Sequence, residues 1–220
     1  METEVKLSFN NKESLFDAVS KDSFRKYLNG NSYYAATLEN RYLDTDEMLL
    51  NKRSGALRIR HIIDNKLNSF EFTVKYGGGS ADGLHKRYEW NMRSDNDDFK
   101  IEDFRKFAAD TEDSDPVEML DVLFEGIKSD ELKILCSNTF DRTKYILETA
   151  DSKIEACLDS GIIKSSDGLK TDEICELELE LISGNPDDLS IISSEIMKDN
   201  DCKPLDRTKF KRTLDLAGRG

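Results

Sequence analysis

Several common organising features are scarce in this chain. Only three prolines stand among its 220 residues, and its twelve glycines mark no linker. No repeat of solenoid length is present. The expectation is one compact domain, which at this length can bury a sizeable core. The four cysteines, Cys136, Cys157, Cys175 and Cys202, form no CxxC pair, and the whole chain has only two histidines. That argues against a zinc cluster or a disulfide framework and points to reduced, buried thiols. No apolar run approaches the length that crosses a bilayer, and the start "METEVKLSF" carries glutamates where a signal peptide would be basic and then apolar. A cytoplasmic protein with no membrane partner is expected. Basic residues are outnumbered, 32 Lys and Arg against 45 Asp and Glu, for a net charge of -13. Such a field repels polyanions, so no broad nucleic-acid face is expected unless the basic residues gather in one place.

What the chain does have is alternation. Polar and apolar residues alternate with a period of two near 2 to 9, 33 to 44, 55 to 63, 69 to 76, 85 to 93, 132 to 148, 152 to 163 and 173 to 182. This is the pattern of strands with one wet and one dry face. Eight such segments match the strand number at which a closed barrel can hold one small ligand. Helical spacing lies at 12 to 29, ending before Gly30, at 97 to 109, at 116 to 128, and after Asn185-Pro186, where Pro186 suits a first helical turn. Strands in consecutive runs favour α+β over a parallel α/β sheet. The loop "GGGSADG", Gly77 to Gly83, lacks the Lys-Ser/Thr ending of a phosphate-binding loop and opens no helix, so it reads as a mobile hairpin tip. The acidic stretch Asp95 to Asp115 carries Phe99, Ile101, Phe104 and Phe107 at near-helical spacing, which suggests a helix packed on the barrel with a solvated face.

Which strand face lies inside is the deciding question. In "ICELELEL", Glu176, Glu178 and Glu180 share one face, about 6.6 Å apart along the strand, and the leucines share the other. Neighbouring carboxylates at that spacing repel by roughly 0.6 kcal/mol in water and about 2.5 kcal/mol at an effective dielectric of 20. Exposure makes that cost small, so this segment alone favours an outer ionic face. Other strands divide the same way. Glu2, Glu4 and Lys6 oppose Val5, Leu7 and Phe9; Arg58 and Arg60 oppose Leu57 and Ile59; Glu71, Thr73 and Lys75 oppose Phe70, Phe72 and Val74. Arg87 and Glu89 oppose Tyr88 and Trp90, Arg142 aligns with Lys144, and Glu155 with Asp159. Any one strand fits a sheet whose apolar faces pack together and whose ionic faces see solvent. The sorting of charge between strands fits that arrangement less well. Carboxylates collect on the first strand and around Glu155 and Glu176, whereas Arg and Lys collect on the middle strands. A barrel closed with this face inward would set the two clusters side by side. A divalent metal chelated by a condensed phosphate satisfies both: carboxylate oxygens suit Mg2+ or Mn2+, and Lys and Arg neutralise phosphoryl oxygens.

These residues resemble the CYTH domain, or triphosphate tunnel metalloenzyme, family. "ETEVK" matches its ExExK signature, "RYLDT" resembles its Tyr-x-Asp-Thr strand, and "GALRIR" its paired-arginine strand. "FTVKYGGGSADGLHKRYEW" resembles its Lys-hairpin-Arg-x-Glu unit, and "IEACLDSG", "ICELELEL" and "TKFKR" follow in the family's order. The resemblance implies a single domain over residues 1–220, of α+β class: an eight-stranded antiparallel β-barrel with a polar, charged lumen and helices packed outside. It also implies metal-dependent hydrolysis of inorganic triphosphate to pyrophosphate and phosphate, with the glycine hairpin and "ICELELEL" most like the bacterial inorganic triphosphatase branch. Thiamine triphosphatase, class IV adenylyl cyclase and a non-catalytic polyphosphate- or nucleotide-binding module stand as alternatives.

By the same resemblance Glu2, Glu4, Glu176 and Glu178 would hold Mg2+ or Mn2+, with Asp159 and Glu155 extending the acidic end and Glu180 fitting the parity. Lys6, Arg58, Arg60, Lys75, Arg87, Arg142, Lys144, Lys209 and Arg212 would clasp the phosphate chain. Lys75 would protonate or stabilise the leaving pyrophosphate oxygen, and Glu89 would either bind a second metal or hold Arg87. The implied partner is a small-molecule triphosphate, with no nucleic acid; monomer and homodimer both remain open. Thr208 stands where the family has serine, His61 reads as a packed or rim residue, and Trp90 as exterior packing.

Overall fold

The alternating segments become strands nearly residue for residue. The computed structural model describes residues 1–64, 68–112, 115–165 and 169–219. Its strands are β1 (Glu2–Phe9), β2 (Tyr34–Asp44), β3 (Gly55–Ile63), β4 (Asn68–Ala81), β5 (Leu84–Ser94), β6 (Lys133–Glu148), β7 (Lys153–Lys164), β8 (Thr171–Ser183) and a short β9 (Cys202–Pro204). The α-helices are α1 (Lys12–Asp17), α2 (Asp22–Arg25), α3 (Leu49–Lys52), α4 (Ile101–Asp110), α5 (Glu118–Leu123), α6 (Asp187–Asp199) and α7 (Lys209–Leu216). Strands pair antiparallel in the order β5-β4-β3-β2-β6-β7-β8-β1, and β1 returns to pair with β5, closing an eight-stranded barrel. β9 joins β1 at Leu7–Phe9, past the segment that β5 occupies.

Closure forces each face to be bore or exterior, and the apolar faces lie outside. Val5, Leu7, Ile154, Leu158, Leu177 and Leu179 pack with Leu15, Phe24, Leu189, Ile192 and Ile196, which are supplied by α1, α2 and α6. Leu57, Ile59, Phe72, Val74 and Trp90 are covered by Ile101, Phe104 and Ala108 of α4, Leu120 and Leu123 of α5, and Leu50 of α3. Each such side chain contributes about 1.5–3 kcal/mol on burial, so these two sheaths together outweigh the repulsion among inward carboxylates. Among the described residues no helix is long and apolar enough to cross a membrane.

The helices depart from the expected spans. The segment 12 to 29 breaks into α1, a 3-10 turn at Ala18–Ser20 and α2, with Lys21 extended between them. Ser20 Oγ donates to the Asp17 carbonyl at 2.7 Å, the kind of local bond that competes with helix continuation. The helices expected from 97 and 116 start later, at Ile101 and Glu118. In the acidic stretch Phe99, Ile101 and Phe104 are buried as expected; its residues 113 and 114 lie outside the described residues.

The glycine segment joins two strands as the expected hairpin, with residues 77–81 continuing β4. Asp82 and Gly83 form a two-residue turn with φ of 52° and 80°, the left-handed pair that suits antiparallel strand twist. The β4–β5 register shifts between Tyr76 and Gly79, and the turn lies against the end of β1. There Gly83 O accepts from Lys6 N at 2.9 Å and Gly83 N donates to Asp206 Oδ1 at 2.8 Å. A Cβ on Gly78 would stand 1.8 Å from the Lys86 carbonyl oxygen, so the close approach itself requires glycine.

α7 was not foreseen, and it differs from the outer helices by packing on inward-facing side chains. Leu214 meets Tyr42 and Cys136, Leu216 joins Leu38, Ile62 and Phe140, and Lys209 reaches carboxylates of β7 and β8. Thr208 caps the helix, its side-chain oxygen accepting from Lys211 N at 3.2 Å, which accounts for a hydroxyl residue here.

Candidate functional site

The bore encloses a cavity of about 300 Å³. Of the residues expected from sequence, Glu2, Glu4, Lys6, Arg58, Arg60, Lys75, Arg87, Glu89, Arg142, Lys144, Glu155, Glu178 and Lys209 all line it. Asp159, Glu176 and Arg212 do not. Glu180 does, and so do Tyr42, Glu71, Thr73 and Asn91, to which no role was given.

One wall is acidic. β1 and β8 set Glu4 opposite Glu180 and Lys6 opposite Glu178, and β7 sets Glu155 on the other side of Glu180. Lys75 Nζ lies 2.9 Å from both oxygens of Glu2 and 2.5 Å from Glu89. Arg87 reaches Glu2 at 3.0 Å and Glu4 at 2.6 Å. Lys6 lies 3.1 Å from Glu4 and 2.5 Å from Glu178. Burial opposes the charge of Glu89, yet Lys75 brings its pKa down to about 2. Glu180 behaves oppositely. Burial, then the charges of Glu2 and Glu89, push its carboxyl up to about 7. Carboxylates are thus in surplus at this wall.

The facing wall is cationic. Arg58 donates to Thr73 Oγ1 at 2.8 Å, and among the described residues its buried Nε has no partner. Arg60 Nε donates to Asn40 Oδ1 at 2.8 Å. Glu71 is the nearest carboxylate to both, at 3.7 and 3.6 Å. Burial first, then the charges of Arg58 and Arg142, lower the Arg60 pKa to about 10 against the opposing pull of Glu71. Phe140 underlies this wall, its ring centroid 6.0 Å from Arg60, 5.6 Å from Arg142 and 5.1 Å from Lys209 Nζ. At the rim Lys144 pairs with Glu155 at 2.7 Å, and Glu155 also accepts from the Tyr33 hydroxyl.

Beside the cavity sits a sealed ionic cluster. Asp159, fully buried, receives two bonds of 2.6 Å from Arg142 and lies 2.7 Å from Lys209. Glu176 accepts from Lys209 at 2.6 Å and from Arg212, which also reaches Asp172 at 2.7 Å. Glu178 spans both regions: Arg142 at 2.5 Å and Lys209 at 2.8 Å join Lys6 in holding its carboxyl well below the usual range, against the effect of burial. The geometry therefore places Asp159 and Glu176 among cations, away from the cavity surface, and brings Glu180 to that surface instead. Among the described residues no three His, Cys, Asp or Glu side chains already converge as metal ligands; Glu2, Glu4 and Glu178 are turned onto Lys and Arg. His61 lies off the bore, stacked on Phe70 at 4.7 Å and 3.0 Å from Glu39. Trp90 is buried outside, as expected.

Comparison with known proteins agrees with this geometry. The family model described as the CYTH domain matches residues 1–214. An inorganic triphosphatase of Haemophilus influenzae is 32% identical over 182 residues, covering 83% of this chain and 46% of the relative, so the chain spans about half of that protein's length. Among solved structures, a Hippeastrum adenylyl cyclase candidate with a dominant triphosphatase activity superposes with a TM-score of 0.65 at 17% identity, over 98% of this chain and 96% of its own. A candidate adenylate cyclase from Bacillus halodurans gives 0.55 at 21% identity, over 96% and 98%. Those two likenesses carry the fold. With the match running from the first strand into α7, this chain belongs to the CYTH domain family.

Proposed function

We propose that residues 1–220 act as one unit that hydrolyses inorganic triphosphate to pyrophosphate and phosphate with Mg2+ or Mn2+. The observation that carries this reading is the pair of opposed surpluses in one bore: carboxylates at Glu2, Glu4, Glu89 and Glu180, and cations at Arg58 and Arg60. A ligand that is anionic along its length and carries a divalent cation relieves both. The resemblance of the chain to an inorganic triphosphatase supports the choice of substrate.

The carboxylate crowd around Glu180 fits a hard divalent ion, because oxygen donors are concentrated where their mutual repulsion already disfavours full ionisation. Glu2, Glu4, Glu178 and Glu180 would hold it, with Glu155 at the rim; when bound, such an ion supplies charge neutralisation and a more acidic water. Asp159 and Glu176 orient Arg142, Lys209 and Arg212 from behind. Arg58, with its unpartnered Nε, and Arg60, whose Nε is held by Asn40, both line the cavity and would offer hydrogen bonds to phosphoryl oxygens. Lys75, steadied by Glu2 and Glu89, stands on the cavity wall as the donor for the leaving pyrophosphate oxygen. Phosphoryl transfer of this kind passes through a loose transition state, so prearranged charge is the main resource the protein can bring.

The test is phosphate release from tripolyphosphate with Mg2+ or Mn2+, repeated with chelator and with Glu4→Gln. Release that disappears in both cases is expected. No release by the wild type with either metal, or release that survives chelation, overturns the proposal. Faster turnover of ATP or thiamine triphosphate moves the assignment to another activity of the fold.

A further inference from the structure

A line of neutral hydrogen bonds crosses the barrel wall between the two halves of the cationic clasp. Arg60 Nε donates to Asn40 Oδ1 at 2.8 Å, Asn40 Nδ2 to Asn138 Oδ1 at 3.0 Å, Asn138 Nδ2 to Thr213 Oγ1 at 2.8 Å, and Thr213 Oγ1 to the Lys209 carbonyl at 2.7 Å. The three linking residues are only 1%, 5% and 2% exposed. Strand register builds the first half of the line: Arg60 lies opposite Asn40 on β2, and Asn40 opposite Asn138 on β6. α7 completes it.

The direction of the line admits no alternative. A guanidinium has only donors and a backbone carbonyl only accepts, so both amides and the hydroxyl between them must each accept from one side and donate to the other. With Nε engaged by Asn40, the Arg60 guanidinium keeps its terminal nitrogens for a ligand and for Glu71, whose carboxylate lies 3.6 Å from Nη1. The bore does not need polar groups here for solvation, since the adjoining inward side chains are Leu38, Ile62, Phe140 and Ile174. Nor is a neutral partner the ordinary choice for a buried arginine. An aspartate at position 40 would hold the same nitrogen and cancel its charge.

We propose that Asn40, Asn138 and Thr213 are positioning residues that lock Arg60 to the Lys209 helix without adding a carboxylate beyond Glu71 beside Arg60, so that its positive charge stays available to a phosphate chain. This rests on the triphosphate reading above. Asn40→Asp also removes the donor to Asn138 Oδ1, so a merely structural network would lose stability there and would leave substrate affinity alone. A positioning network would not leave affinity alone, because its neutrality is what reserves the charge.

The experiment compares Asn40→Asp and the shape-preserving Thr213→Val with the wild type in steady-state turnover of tripolyphosphate, in calorimetric binding of tripolyphosphate without metal, and in thermal unfolding. Asn40→Asp is expected to raise KM and weaken metal-free binding about tenfold or more, with kcat changed less than about threefold, and the effect should shrink as salt rises. Thr213→Val is expected to raise KM by about threefold to tenfold with little dependence on salt. Folded variants whose KM and binding stay within about twofold of wild type, whatever their Tm, overturn the proposal. Should Asn40→Asp fail to fold, Thr213→Val decides by the same criterion. A wild type that neither binds nor hydrolyses tripolyphosphate sinks the parent reading; an active wild type beside unaltered variants sinks the positioning role alone.

Discussion

Replacing Glu180 by Gln is expected to stabilise the metal-free protein, and to do so only above about pH 5. Burial, Glu2 and Glu89 hold this carboxyl at about 7, against an ordinary 4.5. Between those values the folded protein keeps a proton that the unfolded chain has released. Its contribution to stability is therefore complete below 4.5 and is lost as pH rises through about 7. At about 1.36 kcal/mol per pH unit the interval amounts to about 3 kcal/mol, trimmed toward about 2 by residual contact with solvent. An amide has no charge to develop, so it escapes the loss. Urea and thermal unfolding of both proteins, in chelator from about pH 4.5 to 8, should show no difference at the acid end. At the alkaline end the variant should gain roughly 5–10 °C in Tm. Every other titrating group, His61 and His85 included, is common to the two proteins and cancels. Divalent metal should raise the wild type at pH 8 and narrow the gap, since an ion relieves the same repulsion. Equal stability at pH 8, or a more stable wild type, would refute the carboxylate crowd on which the metal assignment rests.

Strand parity was legible because a period of two is a local property: once Glu2, Arg58 and Lys75 are on one face, their neighbours follow. Whether that face is bore or surface is not local. It showed only through the segregation of acidic from basic strands, which has no purpose on an open sheet. What stayed hidden was register. Glu176, Glu178 and Glu180 are equivalent by parity, yet β1 sets Ser8 beside Glu176 and Glu4 beside Glu180, so the last glutamate reaches the cavity and the first sinks into a salt-bridged cluster. A two-residue slip along a strand conserves every local signal while exchanging these fates. α7 escaped notice for a related reason, since Lys209 and Arg212 on a short helix look like a solvated face until the carboxylates they meet are known. Thr208 as an N-cap was the available clue. Asn40 and Asn138 carried no charge to sort, and the pins on the Gly83 turn come from Lys6 and Asp206, far away in sequence.

Two further predictions separate the inside of the barrel from its sheath. Asp159→Asn should leave Arg142 and Lys209 without their shared carboxylate and cost about 3–5 kcal/mol, read as a lower urea midpoint at neutral pH; an unchanged midpoint would show that the sealed cluster is not a unit. Leu179→Ala tests the orientation of the whole wall. Leu179 is fully buried on the outer face, between Val5 of β1 and Ala156 of β7. Truncating it removes apolar contact and opens a hole in the sheath, at a cost of about 2–5 kcal/mol, while Glu178 and Glu180 on either side keep facing the bore. Unfolding should therefore shift strongly while KM for tripolyphosphate, measured below the new transition, stays within about twofold. A leucine on the bore wall would behave in reverse, because deleting it would enlarge a wet cavity: stability would hardly change and KM would move. The ratio of the two effects, more than either alone, discriminates a barrel that is ionic inside from one whose charges face solvent.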